Sequence, residues 1–169
     1  MLFLSIGITS GADVRWGVND YSNITSSATF ASVNGNVTYD EKLTVRFIKG
    51  RCQLGNLYTT VFTYKKNPQL SELKNQRISI NLGGENLQAT ILHVVKLEET
   101  AGHIATVEVG SIPKEALQEN SKTTDMVKIV YVDSENFKIS HYFDVLENNW
   151  TTENMSAAIE QASKACEAL

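Results

Sequence analysis

Apolar and polar residues alternate along much of this 169-residue chain, and the alternation predicts strands. The clearest stretch is Lys42 to Tyr64, KLTVRFIKGRCQLGNLYTTVFTY. Leu43, Val45 and Phe47 alternate with Thr44, Arg46 and Ile48, the pattern of a half-buried strand that Gly50 stops. In the second strand Tyr58, Thr60, Phe62 and Tyr64 share one face, and Leu57, Thr59, Val61 and Thr63 the other. Gly55-Asn56 supplies the φ > 0 residues that a tight turn between them prefers. Cys52 then falls at a strand end or turn.

The rest of the chain repeats the theme. Asp13 to Val18 reads as a short strand with Trp16 in the core. Ala28 to Val33 reads as another, and Asn34-Gly35-Asn36 is a hairpin signal whose partner strand starts at Val37 to Tyr39. Lys65-Lys66-Asn67-Pro68 breaks the pattern, and Gln69 to Gln76 fits one helical turn as well as a loop. Ile78, Ile80 and Leu82 point inward before the Gly83-Gly84 turn. Leu87 to Leu97 is a long β-rich run, turned by Ala101-Gly102 into His103 to Val109. Ser111 as N-cap and Pro113 in the first turn predict a short helix over Lys114 to Glu119. Met126 to Val132 and Phe137 to Phe143 read as a hairpin across Asp133 to Asn136.

The last element is the clearest helix. Met155, Ile159, Ala162, Cys166 and Leu169 form one apolar stripe, with Thr151 or Thr152 as cap and Glu153 at the positive end of the dipole. No repeat or linker divides the chain. The prediction is a mainly β fold, a β-sandwich or partly open barrel, with a short connecting helix and one C-terminal amphipathic helix. Residues 13–169 form a single domain.

Composition narrows the partners. A formal net charge of -4 argues against nucleic acid or an anionic membrane as main partner. No apolar run reaches the ~18 residues of a membrane span. Residues 1–12, MLFLSIGITSGA, have two readings. They are a signal-peptide remnant ending in the small residues Ser10-Gly11-Ala12, or an ordinary first strand. The two cysteines, Cys52 and Cys166, match no zinc spacing and no C-x-x-C motif. In an exported protein they pair as a structural disulfide, and in a cytosolic one they are two buried thiols. The disulfide and the export reading support each other, and both are expected.

Candidate chemistry is sparse. His93, His103 and His141 are scattered over three predicted strands, so no metal is expected. His93 shares the parity of Ile91 and Val95, the placement of a core or interface histidine. The chain has no G-x-S-x-G, H-E-x-x-H or glycine-rich phosphate loop. Asp40-Glu41 and Glu98-Glu99 are adjacent pairs whose side chains point apart. No catalytic residue or cofactor is assigned. Arg46, Lys49, Arg51, Lys65 and Lys66 surround the central strand pair. They read as a basic edge for an acidic partner, or as lysines that protect a sheet edge. Asn23, Asn36, Asn149 and Asn154 open N-x-S/T triplets.

The order of features resembles a known group. Trp16 follows the export-like start, and Cys52 lies near the first long strand pair. Ile112-Pro113 to Ala116-Leu117 interrupts the β-rich middle, and the terminal helix ends near Cys166. This layout resembles the small exported Gram-negative β-sandwich proteins of the invasion-associated locus B-like group. Glu147-Asn148-Asn149-Trp150 stands where that group has a glycine-centred segment. The resemblance implies a periplasmic, non-enzymatic protein and transfers no site residue. The expected function is an exported binding or accessory module that recognises a protein or envelope component. The alternatives are a small exported hydrolase using loop residues such as His103, His141 and Asp144, or an inhibitor or immunity-type protein.

Overall fold

The computed structural model describes residues 15–19, 27–38, 41–97 and 102–169. The export-like segment, the strand start at Asp13, the triplet at Asn23 and the Glu98-Glu99 pair lie outside them. Nine strands are present among the described residues. They are β1 (Gly17–Asn19), β2 (Ala28–Asn34), β3 (Lys42–Ile48), β4 (Leu54–Thr63), β5 (Arg77–Leu82), β6 (Glu85–Lys96), β7 (His103–Pro113), β8 (Met126–Val132) and β9 (Glu147–Thr151). Two α-helices join them, α1 (Lys114–Thr123) and α2 (Met155–Glu167). All strand pairs are antiparallel, in one sheet of order β1-β2-β3-β4-β7-β6-β5-β8-β9. The sheet curls on itself, so the fold is the partly open barrel of the two expected forms.

Alternation builds the concave face. Leu43, Val45 and Phe47 are each fully buried, and register places Val33, Ala31 and Thr29 opposite them on β2. Leu57, Thr59, Val61, Ala105, Val107, Ile91, Ile80 and Ile129 continue this face across the sheet.

Several local expectations give way to specific contacts. The β3–β4 turn lies at Lys49–Gln53, with Gly50 at φ 83, and Gly55-Asn56 belongs to β4. The partner of β2 is β3, and Gly35–Thr38 belong to the long connection before it. Phe137–Phe143 is not a strand. Asp133 accepts hydrogen bonds from the backbone N–H and the hydroxyl of Ser140, and Ile139–His141 winds into a 3₁₀ turn. The strand paired with β8 is β9. Gln69 to Gln76 resolves into a 3₁₀ helix, Pro68–Leu73, capped by the Asn67 side chain. Ser111 is inside β7 and donates to Asn56, so Pro113 alone opens α1. Neither Thr151 nor Thr152 caps α2 with its side chain, since Asn154 occupies the N-cap at φ 62.

The two ends of the sheet meet through polar groups. Trp16 Nε1 donates to the Thr151 carbonyl at 2.6 Å, and Asn36 N to the Asn149 carbonyl at 2.9 Å. Deeper in, the buried Glu41 carboxylate accepts from Phe62 N at 3.0 Å and from Asn148 Nδ2 at 2.7 Å. Trp150 Nε1 donates to the Glu41 carbonyl at 3.3 Å, and Asn148 Oδ1 accepts from Val37 N at 3.0 Å. Burial raises the Glu41 carboxyl above its ordinary 4.5, against the lowering effect of the Phe62 and Asn148 hydrogen bonds. Burial likewise pushes the Tyr131 hydroxyl up.

Helix α2 lies on the concave side of β1, β2 and β3. The stripe Met155, Ile159, Ala162 and Cys166 is buried, as are Ala158 and Ser163, while Leu169 is partly exposed. Thr29 Oγ1 donates to the Ala162 carbonyl at 2.6 Å, and Ser163 Oγ to the Cys52 carbonyl at 2.8 Å. Cys52 and Cys166 form a disulfide with Cα atoms 5.7 Å apart, bridging 114 positions.

Closing a loop of that size contributes about 4–5 kcal/mol in the chain-entropy model. Cys166→Ser is expected to raise hydrogen exchange over Met155–Glu167 first and to leave β3, β4 and β7 protected. Uniform loss of protection across the sheet would show that the helix is not a separable unit. The second prediction concerns pH. The native state retains a proton on Glu41 that the unfolded chain releases, so this group's contribution to stability falls as pH rises from 4.5 through its raised native value. Denaturant midpoints of Glu41→Gln relative to the unsubstituted protein should therefore shift in favour of Gln from pH 4.5 toward neutrality. The opposite trend would mean the carboxylate is net stabilised in the fold.

Candidate functional site

The three residues of the alternative hydrolase reading lie around the far end of β4, each through a different contact. Asp144 Oδ2 accepts from Thr63 Oγ1 at 2.9 Å and Tyr64 N at 2.7 Å, which anchors the chain leaving β4. His141 ends a 3₁₀ turn, and its carbonyl receives the Asn67 amide. His103 starts β7 opposite Thr63. His93 is exposed, with Nε2 3.0 Å from Thr106 Oγ1. A bulge at Leu92 causes this: Ile91 pairs with Val107 and His93 with Thr106, so the faces exchange within β6. Among the described residues no group of three or more His, Cys, Asp or Glu side chains could hold a metal ion.

The five basic residues divide among three places. Arg46 lies on the convex face of β3, 5.9 Å over the Phe30 ring. It neighbours Tyr58, whose hydroxyl donates to Glu108 at 3.2 Å and is raised by burial first and by Glu108 second. Lys49 and Arg51 flank the turn before β4, where Lys49 Nζ donates to the Leu169 carbonyl. Lys65 and Lys66 follow the far end of β4, and Lys65 Nζ donates to the Ser140 carbonyl. A ten-residue strand separates the two lysine-bearing ends by about 33 Å. Strands β3 and β4 are interior to the sheet.

The feature that stands out lies on the concave face. Helix α2 covers the β1–β3 side, but α1 is short and buries only Leu117. Leu117 reaches the sheet because Gly55 has no side chain: a Cβ there would meet Val45 Cγ1 at 2.5 Å and Leu117 Cδ1 at 3.0 Å. Lys114 and Gln118 tie α1 to α2 through Glu160, at 3.3 and 3.2 Å. These hydrogen-bonded partners, Lys114 first and then Lys164, hold the Glu160 carboxyl below its ordinary range.

Beyond α1 the concave face is left open by the described residues. Leu82 pairs with Ile129, Leu87 with Ile80, and Val127 with Trp150, so all three belong to the inward face. Yet Leu82 and Val127 are only partly buried, and Leu87 is 37% exposed. Ile112, opposite Gly55, is also partly exposed. Together they line a cavity of about 480 Å³. Its deep end reaches the buried Leu43, Leu57 and Met155, and its mouth carries Glu85, Asn120, Thr124 and Lys128. Lys128 pairs with Glu147 at 3.0 Å, which offsets its charge at the mouth.

Sequence reasoning placed Leu82 inward correctly but had no means to find the cavity. Alternation identifies the face on which a residue lies and says nothing about what covers that face. The one available signal was the polarity of α1, KEALQENSKT, a helix too hydrophilic to seal an apolar face. No family model, curated protein or solved structure matches the chain.

Proposed function

We propose that this protein is an exported binding module, periplasmic or secreted, that recognises a protein or envelope component and carries out no catalysis. One observation supports binding above the rest: among the described residues, inward-facing apolar side chains are left uncovered beside α1. A fold that buries Leu43, Val45 and Phe47 completely leaves such a gap at a cost, since exposed apolar surface is unfavourable. The compartment reading is supported by the Cys52–Cys166 disulfide, a bond that persists in oxidising environments. The resemblance in layout to exported envelope proteins of the invasion-associated locus B-like group points the same way. No helix among the described residues is long and apolar enough to cross a membrane.

Fractionation of the native host combined with alkylation tests the compartment. The protein is expected outside the cytoplasm with Cys52 and Cys166 alkylated only after reduction. Two freely alkylated thiols on cytosolic protein would contradict the proposal. For the binding reading, His103→Ala and His141→Ala should each leave the biological phenotype intact. Loss of a specific activity in either variant, at unchanged stability, would favour a hydrolase.

A further inference from the structure

We infer that the cavity beside α1 takes a single long acyl chain, with the head group of the amphiphile left at the mouth. This rests on the binding-module reading and specifies its ligand class.

The shape of the site selects the chain. The interior is the side-chain face of a sheet whose backbone N–H and C=O groups bond sideways to neighbouring strands. A peptide entering the cavity would bring backbone polar groups that find no partners there, at a cost of a few kcal/mol each. A hydrocarbon chain brings none and gains about 0.8 kcal/mol per methylene removed from water. The volume, about 480 Å³, falls within the ~300–1,000 Å³ of small-molecule sites, room for one chain rather than for a multi-chain lipid.

The mouth selects an amphiphile. The depth, at Leu43, Leu57 and Met155, holds no charge. Glu85, Asn120 and Lys128 stand only at the entrance. They offer acceptors and donors of both signs, so a carboxylate or a zwitterionic head can stay hydrated there while the chain is enclosed. A free fatty acid and a lysolipid share this chemistry.

Calorimetric titration of the full chain with octanoate, decanoate and dodecanoate, below their micellar concentrations, tests the inference. Affinity should rise about fourfold per added methylene, the equivalent of ~0.8 kcal/mol, until the cavity is full. Leu87→Asp, at the partly exposed mouth, should weaken dodecanoate binding at least tenfold. Val95→Asp, an exposed apolar residue on the convex face, should leave it unchanged. Binding of a dodecanoyl lysolipid as well as dodecanoate supports recognition of the chain alone, and binding of dodecanoate only assigns the free acid. No binding, no chain-length dependence, or equal loss in both variants would overturn the acyl inference. If the protein is nonetheless exported with its cysteines paired, the binding-module reading survives with a different ligand. A cytosolic, reduced protein would remove the exported module and leave the titration to be judged alone.

Discussion

The bond between Cys52 and Cys166 decides how the concave face is shared. A single curled sheet has one face to cover and, among the described residues, two α-helices to cover it with. Cys166 sits on the buried stripe of α2, and Cys52 on the turn between β3 and β4. Joining them holds α2 over β1, β2 and β3, where Ser163 and Thr29 add hydrogen bonds to the same placement. A terminal helix otherwise frays readily. With α2 committed to that side, the remaining face falls to α1, which is too polar to seal it. The cavity therefore follows from the same constraint that stabilises the fold.

A second constraint keeps the barrel from opening. Hydrogen bonding brings β9 against the chain around β2 and β3, without a continuous strand ladder between them. Glu41 is central because its carboxylate satisfies the Phe62 N–H of β4 and the Asn148 amide of β9 at once. Side-chain groups do here what paired strands do elsewhere in the sheet. A buried carboxylate is an expensive choice for this purpose, and its raised pKa reflects that cost.

Much of the architecture was legible from residue order. The alternation in KLTVRFI and in LYTTVFT placed β3 and β4 and their inward faces, and the stripe from Met155 to Cys166 placed α2. The cysteine pair was legible because Cys166 lies on the inward stripe of its helix and Cys52 at a strand end or turn. Errors arose where one side chain overrides a pattern. Asp133 captures Ser140 and turns a strand-like FKISHYF into a 3₁₀ turn, although its alternation looks like β. A bulge at Leu92 carries His93 out to solvent against the parity of Ile91. Gly55 looked like a turn glycine but serves a close approach by Leu117. The cavity was illegible because it is defined by what fails to cover Leu82, Leu87 and Val127.

The central claim is that the open half of the concave face is a ligand site and that the α2-covered half is core. Methyl-resolved NMR during titration with dodecanoate tests this most directly. Resonances of Leu82, Leu87, Ile112, Val127 and Met155 should shift, while those of Ala31 beneath α2, Ala158 and Ala162 on its buried face, and Val95 and Ile104 on the convex face stay in place. Shifts confined to the convex face, or spread evenly over the whole molecule, would contradict it.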